Sequence, residues 1–506
     1  SMSPRLIIFV HGWSVTSTAT YGELPARLKA EARRLAGLDL EVRHIYLGEY
    51  VSFRDEVHMG DISRALEAAL QNILTTTGTN RRFTCITHST GGPLVRDWLD
   101  RYYVQPKQLD RCRLSHLIML APANFGSALA QLGKSRIMAV KAWFDGVEPG
   151  QGVLDWLELA SPEACELNLR WIDDYPRLQI IRRPTPLFPF VLSGDAIDRK
   201  LYDYVNAYTG ETGSDGVVRL AAANLNASHV VLQQPETHRG EALPSARKRL
   251  RTLSVTSIKR SMPVAFKIIP GASHSGTRQG IMASVRNDNQ PNATISAILR
   301  CLKINDEVGY ITLLKAFAKE NASHQAPAER LDIEKVPVLP DREYVIDPCC
   351  MAIFRLFDHS GAHVPEVNLL LTAGPGNDPN QLPSGFLINR QGNQRAPSHL
   401  SFYLNHAVLK GCPPILRSDG SIARPTLIPR PPYGICLEPR SPGPFVEYWR
   451  TLLDTSLQDT LALLRPNETS ILDIHLSRIV HEGVFRFTRQ LSPAQSFKQV
   501  KPGGVT

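Results

Sequence analysis

Phe83-Thr84-Cys85-Ile86-Thr87-His88-Ser89-Thr90-Gly91-Gly92-Pro93 is a short apolar run that gives way to a serine among small residues and then to a helical pattern. Such a run reads as a strand buried on both faces, with the glycines opening a helix behind it. A serine at that strand-to-helix turn has a strained backbone and needs small neighbours two residues to either side. Gly91 meets the need, while Thr87 stands where the commoner pattern has its first glycine. The following helix points its amide donors and positive dipole end at the turn. Ser89 is therefore the candidate nucleophile, and helix capping is its alternative role.

Outward from this stretch the first 125 residues alternate strands and helices. Leu6-Ile7-Ile8-Phe9-Val10, residues 41–53 and Leu117-Ile118-Met119-Leu120 read as strands. Leu24, Leu28, Ala32 and Leu35 share one helical face, and Asp61 caps a helix whose Ile62, Leu66, Leu70 and Ile73 repeat the spacing. The alternation predicts an α/β architecture, a mostly parallel sheet with helices on both faces. From about 126 to 180 the rhythm breaks into a Trp- and Leu-rich stretch (Trp143, Leu154, Trp156, Leu157, Leu159, Trp171), read as a cap inserted above the sheet. These side chains either line an acyl pocket as a lid or pack the insert down. Strands return at 190–192 and 264–269, followed by helices at about 292–302 and 307–321, so the first domain spans 1–321.

Residues 322–342, with Pro327, Pro337 and Pro340, read as a linker, and 343–506 as a β-rich accessory domain. There the period changes to two: Val367, Leu369 and Leu371, then Leu400, Phe402 and Leu404, then Leu472, Ile474 and Leu476 alternate with their neighbours, and Phe485 and Phe487 flank Arg486. Half-buried strands of this kind suggest a β-sandwich-like fold. Residues 412–445 hold nine prolines and are expected to form long connections rather than central strands.

Acyl transfer builds negative charge on the carbonyl oxygen, which two fixed amides stabilise best. The Thr90 amide beside the nucleophile is one candidate, and the Trp13 amide in the His11-Gly12-Trp13 loop after the first strand is the other; His11 itself is read as structural. The candidate base is His274, in Pro270-Gly271-Ala272-Ser273-His274-Ser275-Gly276 after the strand 264–269, because carboxyl ends of parallel strands are where such sheets assemble their sites. His44, His88, His229 and His238 are less well placed, and His88 should point away from the serine. For the acid that holds the imidazole, Asp215 in Gly213-Ser214-Asp215-Gly216-Val217-Val218 is preferred and Asp195 competes. In this reading Ser89 attacks the acyl carbon, His274 takes and returns its proton, and water releases the acyl-enzyme.

Val10-His11-Gly12-Trp13, Ile86-Thr87-His88-Ser89-Thr90-Gly91-Gly92, Ala121-Pro122-Ala123-Asn124-Phe125-Gly126-Ser127, Ser214-Asp215-Gly216-Val217-Val218 and His274 together resemble the α/β-hydrolase lipases. Within them the chain is similar to the branch of lecithin–cholesterol acyltransferase and the GPI inositol-deacylases, where a threonine or alanine before His-Ser is common. The resemblance covers roughly residues 5–305. It implies an α/β-hydrolase fold with an inserted cap, a pocket lined by the Ala121–Ser127 stretch, hydrolysis of a lipid-like ester, and no metal or other cofactor. Lipase effectors of bacterial type VI secretion have similar cores. Small-ester or thioester hydrolysis, and a non-catalytic binding role on a hydrolase scaffold, are the alternatives.

The 506 residues carry 43% apolar and 21% charged side chains, which argues against disordered and fibrous classes. No apolar run reaches the ~18 residues that cross a bilayer. With no secretory signal in view, the expected location is cytoplasmic as synthesised, with export by a signal-less route also open. The eight cysteines form no C-x-x-C pair, which fits a reducing compartment. A net charge of +9 permits nucleic-acid binding but favours an anionic lipid or peptide surface as well, and no nucleic-acid partner is assigned. Arg247, Lys248, Arg249, Arg251, Lys259 and Arg260 against Glu241 suit either a solvated loop or peripheral contact with an anionic membrane. The accessory domain is open to a protein partner.

Overall fold

Strands β1 (Arg5–His11), β2 (Leu40–Tyr46), β3 (Phe83–His88), β4 (Leu114–Leu120), β5 (Phe188–Gly194) and β8 (Ala265–Ile269) form one six-stranded sheet in the order β2-β1-β3-β4-β5-β8. Every pairing is parallel. The computed structural model describes residues 4–11, 21–47, 54–78, 81–131, 149–198, 211–364, 366–441 and 443–481. Trp13, Trp143, Phe485 and Phe487 lie outside them. Among the described residues no helix is long and apolar enough to cross a membrane.

The continuous apolar strands are buried on both faces. Leu6, Ile8 and Val10 enter one core layer, while Ile7 and Phe9 enter the other. Helices α1 (Leu24–Ala36), α6 (Ala293–Leu302) and α7 (Glu307–His324) cover the second face. Helices α2 (Met59–Thr77), α3 (Gly91–Leu99), α4 (Gln151–Leu157) and α5 (Pro162–Asp173) cover the first. This is the α/β-hydrolase architecture expected from the sequence. Asp61 is not the cap of α2: it sits one turn in and accepts from the His58 amide at 2.9 Å, the reciprocal arm of a capping box. In the described part of 126–180, Leu154, Trp156, Leu157, Leu159 and Trp171 are buried in the sheet's own core, so they pack rather than line an open cleft.

A second six-stranded sheet is mixed. Its order is Leu387–Gly392, His399–Asn405, Cys349–Asp358, Thr469–Leu476, β6 (Ala227–Gln233) and β7 (Ser254–Arg260). Two of its strands precede residue 321 and four follow it, so hydrogen-bonded pairing runs across the division expected at 322–342. That stretch is itself partly structured, with Leu331–Glu334 pairing antiparallel to Arg342–Val345. Met351, Ile353, Tyr403 and Ile471 face the hydrolase core, while Cys350, Ala352, Phe354, Phe402, Leu472 and Ile474 face a third layer. The third layer is a three-stranded sheet, Val367–Ala373, Tyr433–Pro439 and Thr451–Thr455, with Tyr433–Pro439 at its centre. The proline-rich stretch therefore does supply a central strand. Its prolines stop at Pro432 and resume at Pro439, which leaves the intervening amides free to pair. The basic segment likewise ends in an edge strand, β7, rather than a loop.

A buried ionic cluster ties α5 to the mixed sheet. His229 on β6 lies 3.0 Å from Asp173 and 2.7 Å from Asp473, and Arg355 donates twice to Asp473 at 2.7 and 2.6 Å. Burial alone would lower the His229 pKa, but hydrogen bonds to Asp173 and Asp473 and their charges carry it up to about 9. A histidine whose folded pKa is raised contributes stability in full below its unfolded pKa, near 6.5, and loses it as pH climbs toward 9. Urea melts between pH 6.5 and 9 should show stability falling with pH, and His229→Gln should flatten that slope. An equal slope in the variant would remove the cluster from the account.

Candidate active site

β3 ends at His88, and Ser89 follows with φ +54°, a left-handed conformation that costs a serine on the order of 1 kcal/mol or more and is tolerated where the surroundings enforce it. The enforcement is visible. The Ser89 amide donates to the Leu120 carbonyl at 2.9 Å, and the Ser89 carbonyl accepts from the Gly92 and Ala123 amides at 3.2 Å each. Close packing explains the glycines. A Cβ on Gly91 would meet Thr87 Cβ at 3.2 Å, so the threonine in the usual glycine position is accommodated by the glycine opposite it. A Cβ on Gly92 would meet Pro122 Cβ at 2.6 Å. Gly92→Ala should therefore destabilise the fold by about 1–3 kcal/mol, read as a lowered urea midpoint; an unchanged midpoint would refute the packing argument.

His274 arrives from the turn after β8, the last strand of the parallel sheet. Its Nε2 lies 3.0 Å from Ser89 Oγ, and its Nδ1 lies 2.8 Å from Asp215 Oδ2. The other carboxylate oxygen, Oδ1, accepts from the Val217 and Val218 amides at 3.0 and 2.7 Å. The backbone is tied as well, since the His274 amide donates to the Asp215 carbonyl at 3.0 Å. Asp215 and His274 have no exposed surface, and Ser89 has 5%. A carboxylate this deeply buried is tolerable because hydrogen-bond donors surround it. Asp195 goes elsewhere: its carboxylate takes a hydrogen bond from His324 Nε2 at 3.0 Å and holds that imidazole's pKa up.

Of the rival histidines, His88, His44 and His229 have structural partners, while His238 is exposed. His88 Nε2 meets the His274 carbonyl at 3.0 Å, a brace on the base loop that the sequence reading missed. Burial, then the neighbouring His274, lowers its pKa to about 3, so it stays neutral. His11 Nε2 lies 2.9 Å from His44 Nδ1 beneath Tyr21 and Tyr46, and burial, with His44 beside it, brings it to about 3. Also unforeseen were the two amides on Asp215; an aspartate two residues before an apolar pair is a recognisable Asx turn.

Ala121-Pro122-Ala123-Asn124-Phe125 follows β4 and wedges under the elbow. Asn124 accepts from Arg96 of α3 at 3.1 Å and donates to the Ala223 carbonyl, and Asn168 of α5 accepts from the same guanidinium at 2.8 Å. Thr90, the nearer oxyanion candidate, is the N-cap residue of α3, and its amide meets no acceptor among the described residues. Trp13, the farther one, lies outside them. Among the described residues no cluster of three or more His, Cys, Asp or Glu side chains is gathered around a point that could hold a metal.

The whole arrangement stands at the carboxyl ends of β1, β3, β4 and β8, beside the point where the sheet order reverses between β1 and β3. Comparison with solved structures finds the same architecture over the full length. Phospholipase PlaB from Legionella pneumophila is 40% identical over 98% of this chain and 98% of its own, with a TM-score of 0.80. The same enzyme in complex with thio-NAD is 39% identical over 97% of each chain, again with a TM-score of 0.80.

The chain belongs to the PlaB phospholipase family.

No family model matches it, and no curated protein does. As a PlaB-family member it is a lipid-ester hydrolase. The non-catalytic reading is not favoured.

Proposed function

We propose that this hydrolase works through a triad of Ser89, His274 and Asp215 and takes phospholipids as substrates. The observation that carries the reading is the unbroken hydrogen-bonded line from Ser89 Oγ through both imidazole nitrogens to Asp215, with the serine on a strained turn. Ser89 Oγ attacks the acyl carbon as His274 Nε2 takes its proton. The charge that develops on the carbonyl oxygen falls to the amides of Thr90 and Trp13. His274 returns the proton to the departing alcohol, and a water deprotonated the same way frees the acid. Asp215 holds the tautomer with Nδ1–H toward itself and balances the imidazolium. The phospholipid class rests on kinship with PlaB, and the elbow and acid-loop motifs keep our reading of a link to the lecithin–cholesterol acyltransferase and GPI inositol-deacylase branch.

The test is an irreversible serine-directed phosphonate followed by mass mapping. Label on Ser89 in the native chain, with none on Ser89→Ala, is expected; label elsewhere, or none, overturns the triad.

One observation favours peripheral contact with an anionic membrane. On and beside β7, Leu250, Val255 and Ile258 are exposed next to exposed Arg247, Lys248 and Lys259, while Arg249, Arg251 and Arg260 are paired with Glu447, Glu241 and Glu468. Apolar side chains among basic ones suit a headgroup layer, each cation near it contributing about 1 kcal/mol.

A further inference from the structure

The turn that carries Asp215 is bracketed by a buried ion pair. Arg219 Nε donates to Glu211 Oε2 at 2.9 Å and Nη2 to Oε1 at 2.8 Å, with both side chains almost wholly out of solvent. Removing two charges from water is expensive, and such a pair survives only with good geometry and further partners. Those partners come from the β-rich part of the chain. The guanidinium lies 4.0 Å over the Tyr403 ring and donates to Asn389 Oδ1 at 3.1 Å. The Tyr403 hydroxyl donates to the Thr212 carbonyl at 2.5 Å. Gly213, at φ +72°, is so close that a Cβ there would meet that hydroxyl at 2.7 Å.

The loop is closed on itself and pinned at its exit too. The Leu220 amide donates to the Gly213 carbonyl at 2.9 Å. The Thr469 hydroxyl donates to the Ala221 carbonyl at 2.8 Å, and the Asn224 amide group to the Asn467 carbonyl at 2.7 Å. Between these anchors lie Asp215 and the two amides that grip it. Arg219 touches neither the imidazole nor the serine.

We infer that Arg219, paired with Glu211 and seated on Tyr403, is a positioning residue for the acid, so that the β-rich region is a structural member of the hydrolytic site rather than an appended module. The inference rests on reading Asp215 as the triad acid. Its consequence is that loosening Arg219 acts on turnover through the aim of Asp215 at His274. Misaiming the carboxylate weakens proton transfer at His274 rather than the grip on the ester, so the loss is expected mainly on kcat.

The experiment is a double-mutant cycle on the full chain with a chromogenic ester, melting temperature being followed in parallel. Arg219→Met should lower kcat about 10- to 100-fold with KM within about twofold, Arg219→Lys should recover part of the loss, and Tyr403→Phe, which keeps the ring and drops the Thr212 bond, should cost about three- to tenfold. In an Asp215→Asn background each of these should cost less than about twofold, because the aim of the carboxylate is already lost. Full additivity there, or wild-type kcat in folded Arg219→Met and Tyr403→Phe, overturns the inference. Wild-type rates in Asp215→Asn alone would instead sink the triad reading. Should Arg219→Met fail to fold, Tyr403→Phe and Asn389→Ala carry the same comparison.

Discussion

Ser89→Ala should reduce ester turnover about a millionfold while leaving the fold intact, the size of loss seen when a triad nucleophile is removed. The alanine keeps Cβ at the φ +54° turn and removes only Oγ, the atom 3.0 Å from His274 Nε2. No hydroxyl then remains in line to form the acyl-enzyme, and residual hydrolysis reflects the oxyanion donors and binding alone. Initial rates on p-nitrophenyl esters of rising chain length, then on phospholipid vesicles, are the measurement. Activity within tenfold of wild type would end the assignment of Ser89. Equal wild-type rates on short and long chains would remove the acyl-binding part of the reading while leaving the nucleophile in place.

The second large effect is expected at the acid. Asp215→Asn should cost about ten-thousandfold in kcat with little change in KM. The amide side chain can still accept from Val217 and Val218 through one oxygen. What it then turns toward His274 Nδ1 is an NH2 donor, which selects the wrong tautomer and leaves the imidazolium unbalanced. Asp195→Asn is the control, because its partner is His324 rather than the base. A larger loss at Asp195 than at Asp215 would reverse the choice of acid.

The parts of this site legible in the sequence share a physical reason. A nucleophile turn needs a buried strand, a small-residue turn and a helix start within about ten consecutive residues, and all three stand at 83–93. His274 and Asp215 were reachable because each sits in a glycine-containing turn by an apolar segment, although local pattern left Asp195 beside Asp215 as an alternative acid. For His88 the sequence predicts only a side chain directed away from the serine. Its bond to the His274 carbonyl spans 186 residues of chain and has no local signature.

The β-rich part shows the limit of periodicity. Leu400, Phe402 and Leu404 face the third layer as their alternation implied, but Tyr403 between them is also buried, against the hydrolase core. A sheet covered on both faces loses the clean in-and-out pattern of a free sandwich. Nothing local announces that β6 and β7, neither of them expected as a strand from the sequence, complete it.

Local chemistry, then, determined the strands of the parallel sheet, the serine turn and the types of residue that serve it, because backbone strain, burial and helix starts are decided by near neighbours. Tertiary structure alone decided which aspartate meets the imidazole, and that the supports of its turn come from strands more than a hundred residues further on. Contacts of that separation depend on how layers stack, and no window of sequence contains both partners.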